Sequence, residues 1–306
     1  MKSIKVKCPA SVSNLCCGFD ILGMALSDPF DIIELSARNE PGIIIIHTDD
    51  HNLPTDPAKN IAGVALQSMI NELNIRHGFE VTINKQIKPG SGIGSSAASA
   101  AGIVVAANEL LDLGLDKREQ VRFAMEGEVV ASGARHADNL APCIFGGMVL
   151  IRDTASFDII EIPFPPMFVT ILHPQIEIKT SYAREILPKE IPLKSGVRQW
   201  ANVAGLIAGF MSSDYGLISR SLEDVIIEPV RSKLIPGFDT VKAKCIEAGV
   251  LGGGISGSGP SVFMLSEKEQ TAYDAEAAMK EVYKKLGIDF KTYVTTIKKS
   301  GVEVMK

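Results

Sequence analysis

Alternating hydrophobic and polar positions predict strands along the chain. Phe79, Val81 and Ile83 are separated by polar residues, which is the two-residue period of a strand with one buried face. The same pattern predicts further strands over residues 4–8, 30–37, 42–47, 148–152, 168–173, 262–265 and 293–297. Apolar residues spaced three and four apart predict helices over residues 57–74, 103–111, 116–131, 200–212, 215–226, 237–248 and 271–286. Strands and helices that alternate without long βαβ regularity favour an α+β fold.

A glycine-rich segment joins a predicted strand to a predicted helix. Residues 88–102 read KPGSGIGSSAASAAG, with Gly90, Gly92 and Gly94 at alternate positions. Glycine allows positive φ angles and close approach of the backbone to a ligand. The first turn of a helix leaves its N–H groups unpaired, and the helix dipole favours negative charge there. We therefore predict an anion site at this loop, most often one for phosphate.

Two common phosphate-binding motifs do not fit this loop. A P-loop requires a lysine after its last glycine, and here Ser95 follows Gly94. The dinucleotide pattern GxGxxG also fails, because the third residue after Gly92 is Ser95. The alternative is a tight turn with no ligand, which the entropy cost of three glycines disfavours.

The string GSGIGSSA over residues 90–97 resembles the central motif of the GHMP kinases, named for galacto-, homoserine, mevalonate and phosphomevalonate kinases. That family usually has a proline four residues before the glycine pair; here Lys88 takes its place and Pro89 follows. The resemblance implies that the loop binds the phosphates of ATP. The ATP-binding residues that it implies are Lys88, Pro89, Gly90, Ser91, Gly92, Ile93, Gly94, Ser95, Ser96 and Ala97.

The same resemblance implies Mg²⁺ and a contact with the base of ATP. The family places a loop serine and a glutamate of the following helix on Mg²⁺, which here are Ser96 and Glu128. One hydroxyl and one carboxylate suit an ion that takes few protein ligands and completes its octahedron with phosphates and water. Asn60 occupies a position that lies near the nucleotide base in similar kinases; a solvated helix asparagine is the alternative.

Residues 9–26, PASVSNLCCGFDILGMAL, are similar to the N-terminal motif of the homoserine kinases, one branch of this family. Asparagine and aspartate are common turn residues, so taken alone they indicate little. The resemblance implies that Asn14 and Asp20 bind the amino-alcohol substrate. A carboxylate at Asp20 suits a ligand with an ammonium group.

Residues 132–147 contain His136, Asp138 and Asn139, similar to the stretch H-x-D-N-x-x-P that lines the substrate pocket of homoserine kinases. Mevalonate and galactose kinases have in this region a catalytic aspartate that accepts the hydroxyl proton. The resemblance to homoserine kinases implies positioning and electrostatics instead of such a base, which phosphoryl transfer tolerates. Whether Asp138 or Asn139 faces the hydroxyl stays open, and an asparagine cannot act as a base.

Two arginines complete the predicted substrate site. Thr180 and Arg184 share a helical face at spacing i, i+4, and the similar T-x-x-x-R of homoserine kinases supplies an arginine to the substrate carboxylate. Arg231 resembles a second such arginine. Two guanidinium groups on one carboxylate give planar, bidentate recognition. The candidate catalytic residues are Asp138, Asn139 and Arg184.

The motifs together imply an ATP-dependent kinase that phosphorylates L-homoserine on the route to threonine. A third motif, GGGISGSGP within residues 249–265, resembles the family segment that closes against the phosphate loop. One alternative is a kinase of the same family for another small alcohol. Another alternative is a non-catalytic ATP-binding regulator of the same fold.

Length and composition predict two domains in 306 residues. The proline cluster Pro163, Pro165 and Pro166 places the boundary near residue 160. By resemblance, residues 1–160 form an ATP-binding domain like domain 2 of ribosomal protein S5. Residues 161–306 then form a ferredoxin-like domain.

Charge and cysteine usage exclude several classes of protein. A net charge of −5 without a basic run argues against nucleic-acid binding. The five cysteines lack metal spacing, which favours reduced, buried thiols. The N-terminal sequence lacks the apolar core of a signal peptide, and no apolar run reaches 18 residues. We therefore predict a cytoplasmic protein with no membrane contact; a homodimer is an open alternative for its oligomeric state.

Overall fold

The computed structural model describes residues 2–133 and 135–305, without the side chains of residues 130–132. The strands are β1 Ser3–Ser13, β2 Leu22–Arg38, β3 Ile43–His47, β4 Gly78–Asn84, β5 Met148–Asp153, β6 Asp158–Ile162, β7 Phe168–Pro174, β8 Gly252–Ile255, β9 Val262–Ser266, β10 Phe290–Thr296 and β11 Glu303–Val304. The helices are α1 Ile61–Glu72, α2 Ser95–Leu111, α3 Lys117–Ser132, α4 Leu140–Phe145, α5 Thr180–Glu185, α6 Leu193–Ser212, α7 Tyr215–Ser221, α8 Glu228–Arg231, α9 Phe238–Glu247 and α10 Glu269–Leu286.

The strands form two sheets, which gives the predicted mixed α and β architecture. The first has the order β11-β1-β2-β4-β3, with β5 paired to β2 and β6 paired to β5. Within it only β3 and β4 run parallel. The second sheet is antiparallel, with the order β10-β7-β9-β8. The chain changes sheets between β6 and β7 and returns to the first sheet through β11.

Helix α2 is buried along most of its length, and its small residues are the reason. A Cβ atom at Gly102 would lie 2.2 Å from the Cys8 sulfur on β1, so the helix can approach the sheet this closely only with glycine there. Helices α1, α3 and α4 also pack against α2. The glycine-rich loop that precedes α2 is therefore fixed between a rigid helix and the sheet.

Several element boundaries differ from the sequence prediction. Strand β1 continues to Ser13 and β2 begins at Leu22, so the loop predicted over residues 9–26 is confined to residues 14–21. Helix α1 begins at Ile61 rather than Pro57, because Asn60 caps it. Helix α7 ends at Ser221 and not at residue 226. Strand β6 and the short helices α4 and α8 have too little periodicity to be predicted.

The predicted buried thiols are confirmed. All five cysteines are free and buried. Trp200 lies on the outer face of α6 and is 60% exposed. Within the described part of the chain, no helix combines the length and the apolar character needed to cross a membrane.

Candidate active site

The predicted site residues converge on one cleft of about 330 Å³. The first sheet, its loops and helices α1, α2 and α3 contribute one part of the lining. Helices α5 and α8, the segment before α5 and the loop after β8 contribute the rest. The predicted residues that line the cleft are Asn14, Asp20, Pro89, Gly90, Ser91, Gly92, Gly94, Ser95, Ser96, Glu128, His136, Asp138, Asn139, Thr180, Arg184 and Arg231. Lys88, Ile93, Ala97 and Asn60 do not line it.

The glycine-rich loop has the left-handed turns that its sequence predicts. The φ angles of Gly90, Gly92 and Gly94 are 73°, 82° and 72°. A Cβ atom at Gly92 would lie 2.5 Å from the Gly259 carbonyl oxygen, and one at Gly94 would lie 2.0 Å from the Ser11 hydroxyl oxygen. The loop therefore requires glycine for both its backbone angles and its packing.

Several residues of this loop line the cleft, and their backbone amides have no acceptor among the described residues. The Ser91 amide donates to the Lys88 carbonyl at 3.2 Å, and the first amide of α2 with a helical partner is that of Ala98, which donates to Gly94 at 2.9 Å. Across residues 2–133 and 135–305, no hydrogen bond is made by the amides of residues 92–97. This is the arrangement with which a helix N-terminus binds an anion.

The third glycine-rich motif packs directly on this loop, as the sequence implied. The Ser256 hydroxyl donates to the Gly92 carbonyl at 2.7 Å. The Ser261 amide donates to the Ser91 carbonyl at 3.3 Å. These two hydrogen bonds join the glycine-rich loop to the segment between β8 and β9 of the second sheet.

The two predicted metal ligands lie side by side. The Ser96 hydroxyl donates to Glu128 Oε1 at 3.2 Å, whereas the Ser95 hydroxyl turns away to the Ile87 carbonyl at 2.8 Å. Burial raises the pKa of Glu128 to about 7, an effect that the hydrogen bond from Ser96 opposes. In the described residues there is no cluster of three or more His, Cys, Asp or Glu side chains suited to a metal. A hydroxyl beside one carboxylate fits Mg²⁺ that shares its shell with phosphates.

A buried ion pair beneath the loop was missed by the sequence analysis. Lys85 Nζ bonds to Asp31, to the Ser95 carbonyl at 2.6 Å and to the Ser99 hydroxyl at 2.9 Å. Asp31 also accepts the amides of Gln86 and Ile87. The pair therefore ties the first turn of α2 to strand β2. The sequence shows one lysine directly after a predicted strand, and such a lysine is usually exposed, so the pattern does not indicate a buried ion pair.

Asp20 and Arg184 form a bidentate ion pair across the cleft. The Arg184 Nη1 and Nη2 atoms lie 2.9 and 2.8 Å from the two Asp20 oxygens, 164 residues away in sequence. The sequence implied separate roles for them, with Asp20 on the substrate ammonium and Arg184 on its carboxylate. In this structure each charge is satisfied by the other, and the two predicted ligands of a zwitterion neutralise one another.

The Arg231 guanidinium group is held by two backbone carbonyl oxygens. Its Nε atom donates to the Ala183 carbonyl at 2.9 Å and its Nη1 atom to the Gly257 carbonyl at 3.0 Å. Burial lowers the pKa of Arg231 to about 10, and the positive charge of Arg184 adds to this. Both guanidinium groups lie about 5 Å from the centre of the Phe19 ring, at 5.2 and 5.1 Å. Arg231 and Arg184 both line the cleft.

The two candidates for the catalytic position differ in their hydrogen bonds. Asn139 accepts from the Ser11 hydroxyl at 2.8 Å and donates to the Ser13 hydroxyl at 2.9 Å. Burial raises the pKa of Asp138 to about 7; the charge of Asp20 adds to this and a hydrogen bond from Ser13 opposes it. Asn139 thus has both ends of its amide engaged, whereas Asp138 is a cleft carboxyl that titrates near neutral pH.

The remaining substrate candidates are also in the cleft. Asn14 accepts a hydrogen bond from the Asp20 amide at 3.0 Å and donates to the Gly257 carbonyl at 2.9 Å. Its side chain therefore joins the loop between β1 and β2 to the third glycine-rich motif. Burial lowers the pKa of His136, an effect that Asp20 opposes and both arginines reinforce. Thr180 lies 3.2 Å from the Ser258 hydroxyl at the exposed edge. Ala134, in the same stretch as His136, lies outside the described residues.

Known proteins resemble this chain over its whole length. The sequence profile of the GHMP kinases N terminal domain matches residues 60–147, and that of the GHMP kinases C terminal domain matches residues 206–285. A homoserine kinase of Chloroherpeton thalassium is 45% identical, with 94% of each chain covered. The crystal structure of a homoserine kinase from Cytophaga hutchinsonii is 44% identical and superposes with a TM-score of 0.96, covering 100% of this chain and 98% of the other.

The chain belongs to the homoserine kinases of the GHMP family. More distant GHMP kinases share only the fold. A mevalonate kinase from L. major superposes with a TM-score of 0.74 at 16% identity, over 97% of this chain and 96% of the other.

Two of the implied ATP-binding side chains have other partners in this GHMP kinase. Asn60 is the cap of α1: it accepts the amides of Ala62 and Gly63 and donates to the Pro54 carbonyl at 2.7 Å. It is buried, so the alternative of a solvated asparagine is wrong. Lys88 turns towards the second sheet and donates to Gln175 at 2.7 Å. Neither side chain faces the cleft, and Leu53 and Ile61 line it instead near Asn60.

We expect Lys85→Met to destabilise the protein by about 3 kcal/mol, because it leaves the Asp31 carboxylate buried without its cation. This is the lower end of the usual range, since two backbone amides still bind Asp31. The measurement is the free energy of unfolding in denaturant. Lys5→Met, which removes the exposed pair with Glu34 on the same sheet, should cost less than about 1 kcal/mol. Equal losses would show that the buried pair has no special role.

Proposed function

We propose that this protein transfers the γ-phosphoryl group of ATP to the side-chain hydroxyl of L-homoserine, giving ADP and O-phospho-L-homoserine. One observation carries the proposal. The paired charges of Asp20 and Arg184 line the same cleft as the open amides of the glycine-rich loop. The first feature suits an amino acid and the second suits a phosphate chain.

Substrate binding exchanges partners within the ion pair. The ammonium group of homoserine takes the place of Arg184 at the Asp20 carboxylate. Its carboxylate takes the place of Asp20 at Arg184, with Arg231 alongside. A zwitterion satisfies both protein charges, whereas a ligand with one charge leaves the other protein group without a partner, which is costly in a partly buried site.

The glycine-rich loop and the neighbouring Ser96 and Glu128 side chains act on the nucleotide. The amides of residues 92–97 bind phosphate oxygens, and the helix dipole of α2 favours their negative charge. Ser96 and Glu128 would hold Mg²⁺, which neutralises charge on the phosphates. Lys85 fixes the first turn of α2 and thereby the positions of these groups.

The proton of the attacking hydroxyl passes to Asp138 in this proposal. Its raised pKa suits a base that works near neutral pH. Asn139, held by Ser11 and Ser13, shapes the cleft around it. Holding the reactants in line accounts for much of the rest, since positioning can supply about 7–11 kcal/mol of a barrier.

The test is an ADP-release assay coupled to a reporter reaction, with Mg²⁺-ATP and a series of alcohols. L-homoserine should turn over, whereas mevalonate and galactose should not. Two truncated substrates sharpen the test: 4-hydroxybutanoate lacks the ammonium group and 3-aminopropan-1-ol lacks the carboxylate. Each should lose most of kcat/KM. Faster turnover of another alcohol would indicate a different GHMP kinase, and no turnover with any alcohol would indicate a non-catalytic regulator.

We expect Glu128→Gln to weaken the apparent affinity for Mg²⁺ by at least about tenfold and to lower kcat, because a neutral amide is a poorer ligand. The measurement is a Mg²⁺ titration of the kinase rate. Glu126→Gln, two residues away on the same helix and paired with Arg135 at 2.7 Å, is the matched control and should titrate like the wild type. An unchanged titration for Glu128→Gln would refute its role as a ligand.

Three further points belong to the same proposal and are supported by family membership. The product is an intermediate on the route to threonine. The protein acts in the cytoplasm. The boundary between its two domains lies near residue 160, close to the change of sheets between β6 and β7.

A further inference from the structure

The side-chain amide of Gln199 connects the two segments that carry the proposed ligands of homoserine. Gln199 lies on the buried face of helix α6, is 6% exposed and does not line the cleft. Its Nε2 atom donates to the Cys17 carbonyl at 2.9 Å and to Asp224 Oδ1 at 3.0 Å, and its Oε1 atom accepts the Val225 amide at 3.0 Å. The donors and the acceptor of this one amide therefore bond to two segments that are far apart in sequence.

The first of these segments is the loop between β1 and β2, residues 14–21. It carries Asp20, the proposed ligand of the substrate ammonium group. Asn14, Cys16 and Asp20 have positive φ angles of 73°, 63° and 62°. Residues other than glycine keep this conformation only where the surrounding structure holds them in it. The hydrogen bond from Gln199 supports the loop at its middle.

The second segment is the short helix α8 with the carboxylate that precedes it. Asp224 is buried, and its two oxygens accept three successive amides at 2.9 Å, those of Ile226, Ile227 and Glu228. Helix α8 has four residues and ends at Arg231, a proposed ligand of the substrate carboxylate. A helix this short is not stable by itself, so its position depends on such contacts.

We propose that Gln199 is a positioning residue that sets the distance between the ammonium and the carboxylate sites for homoserine. This inference rests on the proposed function. Gln199 acts through the loop that carries Asp20 and through α8, which carries Arg231. The connection continues from Arg231 Nε to the Ala183 carbonyl at 2.9 Å, and Ala183 directly precedes Arg184. The groups that bind the two charged ends of the substrate are thereby joined.

A second connection between the same two segments sets the size of the expected effect. The Gly257 carbonyl accepts from Asn14 Nδ2 at 2.9 Å and from Arg231 Nη1 at 3.0 Å. Loss of the Gln199 amide therefore leaves the loop and α8 linked, but less firmly. A misplacement of about 1 Å can cost about 10²-fold in rate, and we expect about tenfold for a smaller displacement.

The test compares Gln199→Met with the wild type in the ADP-release assay. Methionine has nearly the shape of glutamine but lacks the amide. The value of kcat/KM for homoserine should fall about tenfold, while KM for ATP changes less than about twofold. For 4-hydroxybutanoate and for 3-aminopropan-1-ol, kcat/KM should also change less than about twofold, because a substrate with one charge needs only one of the two sites in place.

Asn202→Leu is the matched control. Asn202 lies nearly one turn after Gln199 on the same buried face and is also 6% exposed. Its side chain donates to the Glu223 carbonyl at 2.9 Å; within residues 2–133 and 135–305 it makes no hydrogen bond to the loop or to the Asp224 carboxylate. This variant loses a buried hydrogen bond of the same helix and should keep the wild-type preference for homoserine over the truncated substrates.

A second variant and a binding measurement complete the experiment. Gln199→Asn keeps an amide that is one methylene too short to reach both segments, and it should show the same pattern as Gln199→Met. Calorimetric titration with homoserine should show the loss of affinity without any catalytic step. Turnover of homoserine by the wild type tests the proposed function separately. With an active wild type, an unchanged preference for homoserine in both variants, or equal losses for homoserine and the truncated substrates, would overturn the inference alone.

Discussion

The Asp138→Asn variant is expected to lose about 10²-fold or more in kcat, with little change in KM for ATP or homoserine. General base catalysis typically contributes about 10²–10⁴-fold, and an amide cannot accept the proton. The structure favours Asp138 over its neighbour for this role, because both ends of the Asn139 amide are engaged by Ser11 and Ser13. The raised pKa of Asp138, about 7, lies where a base is effective at neutral pH.

The pH profile separates a base from a group that only positions the substrate. At saturating Mg²⁺, which keeps the Glu128 carboxylate ionised, wild-type kcat should fall as the pH drops below about 7, where Asp138 becomes protonated, and Asp138→Asn should lack that limb. A carboxyl group whose pKa is raised in the folded state contributes stability that is fully present below its pKa in the unfolded chain. That contribution is lost as the pH rises through about 7, the pKa in the folded state. The variant should therefore be no less stable than the wild type at pH 8. If its kcat stays within a few-fold of the wild type, catalysis needs no base here.

The Asp20→Asn variant is expected to raise KM for homoserine by about 30- to 150-fold and to leave KM for ATP nearly unchanged. The variant removes the counter-charge of the substrate ammonium and leaves Arg184 without its partner. Truncating one member of a hydrogen-bonded charge pair costs about 2–5 kcal/mol. We take about 2–3 kcal/mol, because a third of the Asp20 side chain is exposed to solvent, at 33%.

A matched pair elsewhere in the protein controls for a general effect of charge. Arg198 and Glu223 form an ion pair with a shortest distance of 2.6 Å outside the cleft, so Glu223→Gln should leave both KM values unchanged. For Asp20→Asn the truncated substrates add a second readout. The variant should lose most of its preference for homoserine over 4-hydroxybutanoate, which lacks the ammonium group. Equal rises in KM for ATP and homoserine would remove Asp20 from the substrate site.

Local sequence predicted the phosphate loop well because its physics is local. Glycine adopts positive φ angles without steric cost, and the structure shows all three alternate glycines in that conformation. The helix that follows starts at Ser95, directly after Gly94. Motif resemblance then supplied the distant residues, and most of them line the same cleft.

The partners of these residues could not be predicted, because they depend on the tertiary fold. The pairing of Asp20 with Arg184 joins positions 164 residues apart. Burial of Lys85 follows from the position of Asp31 on the neighbouring strand, which no local pattern indicates. Asn60 was read as a nucleotide contact, and the structure uses its side chain to cap α1.

The most direct test is a crystal structure with Mg²⁺, a non-hydrolysable ATP analogue and L-homoserine. The account predicts phosphate oxygens within hydrogen-bond distance of amides in residues 92–97. It also predicts that Arg184 has left Asp20 for the homoserine carboxylate, with the homoserine ammonium on Asp20. A nucleotide bound elsewhere, or an Asp20–Arg184 pair that stays closed beside bound homoserine, would contradict it.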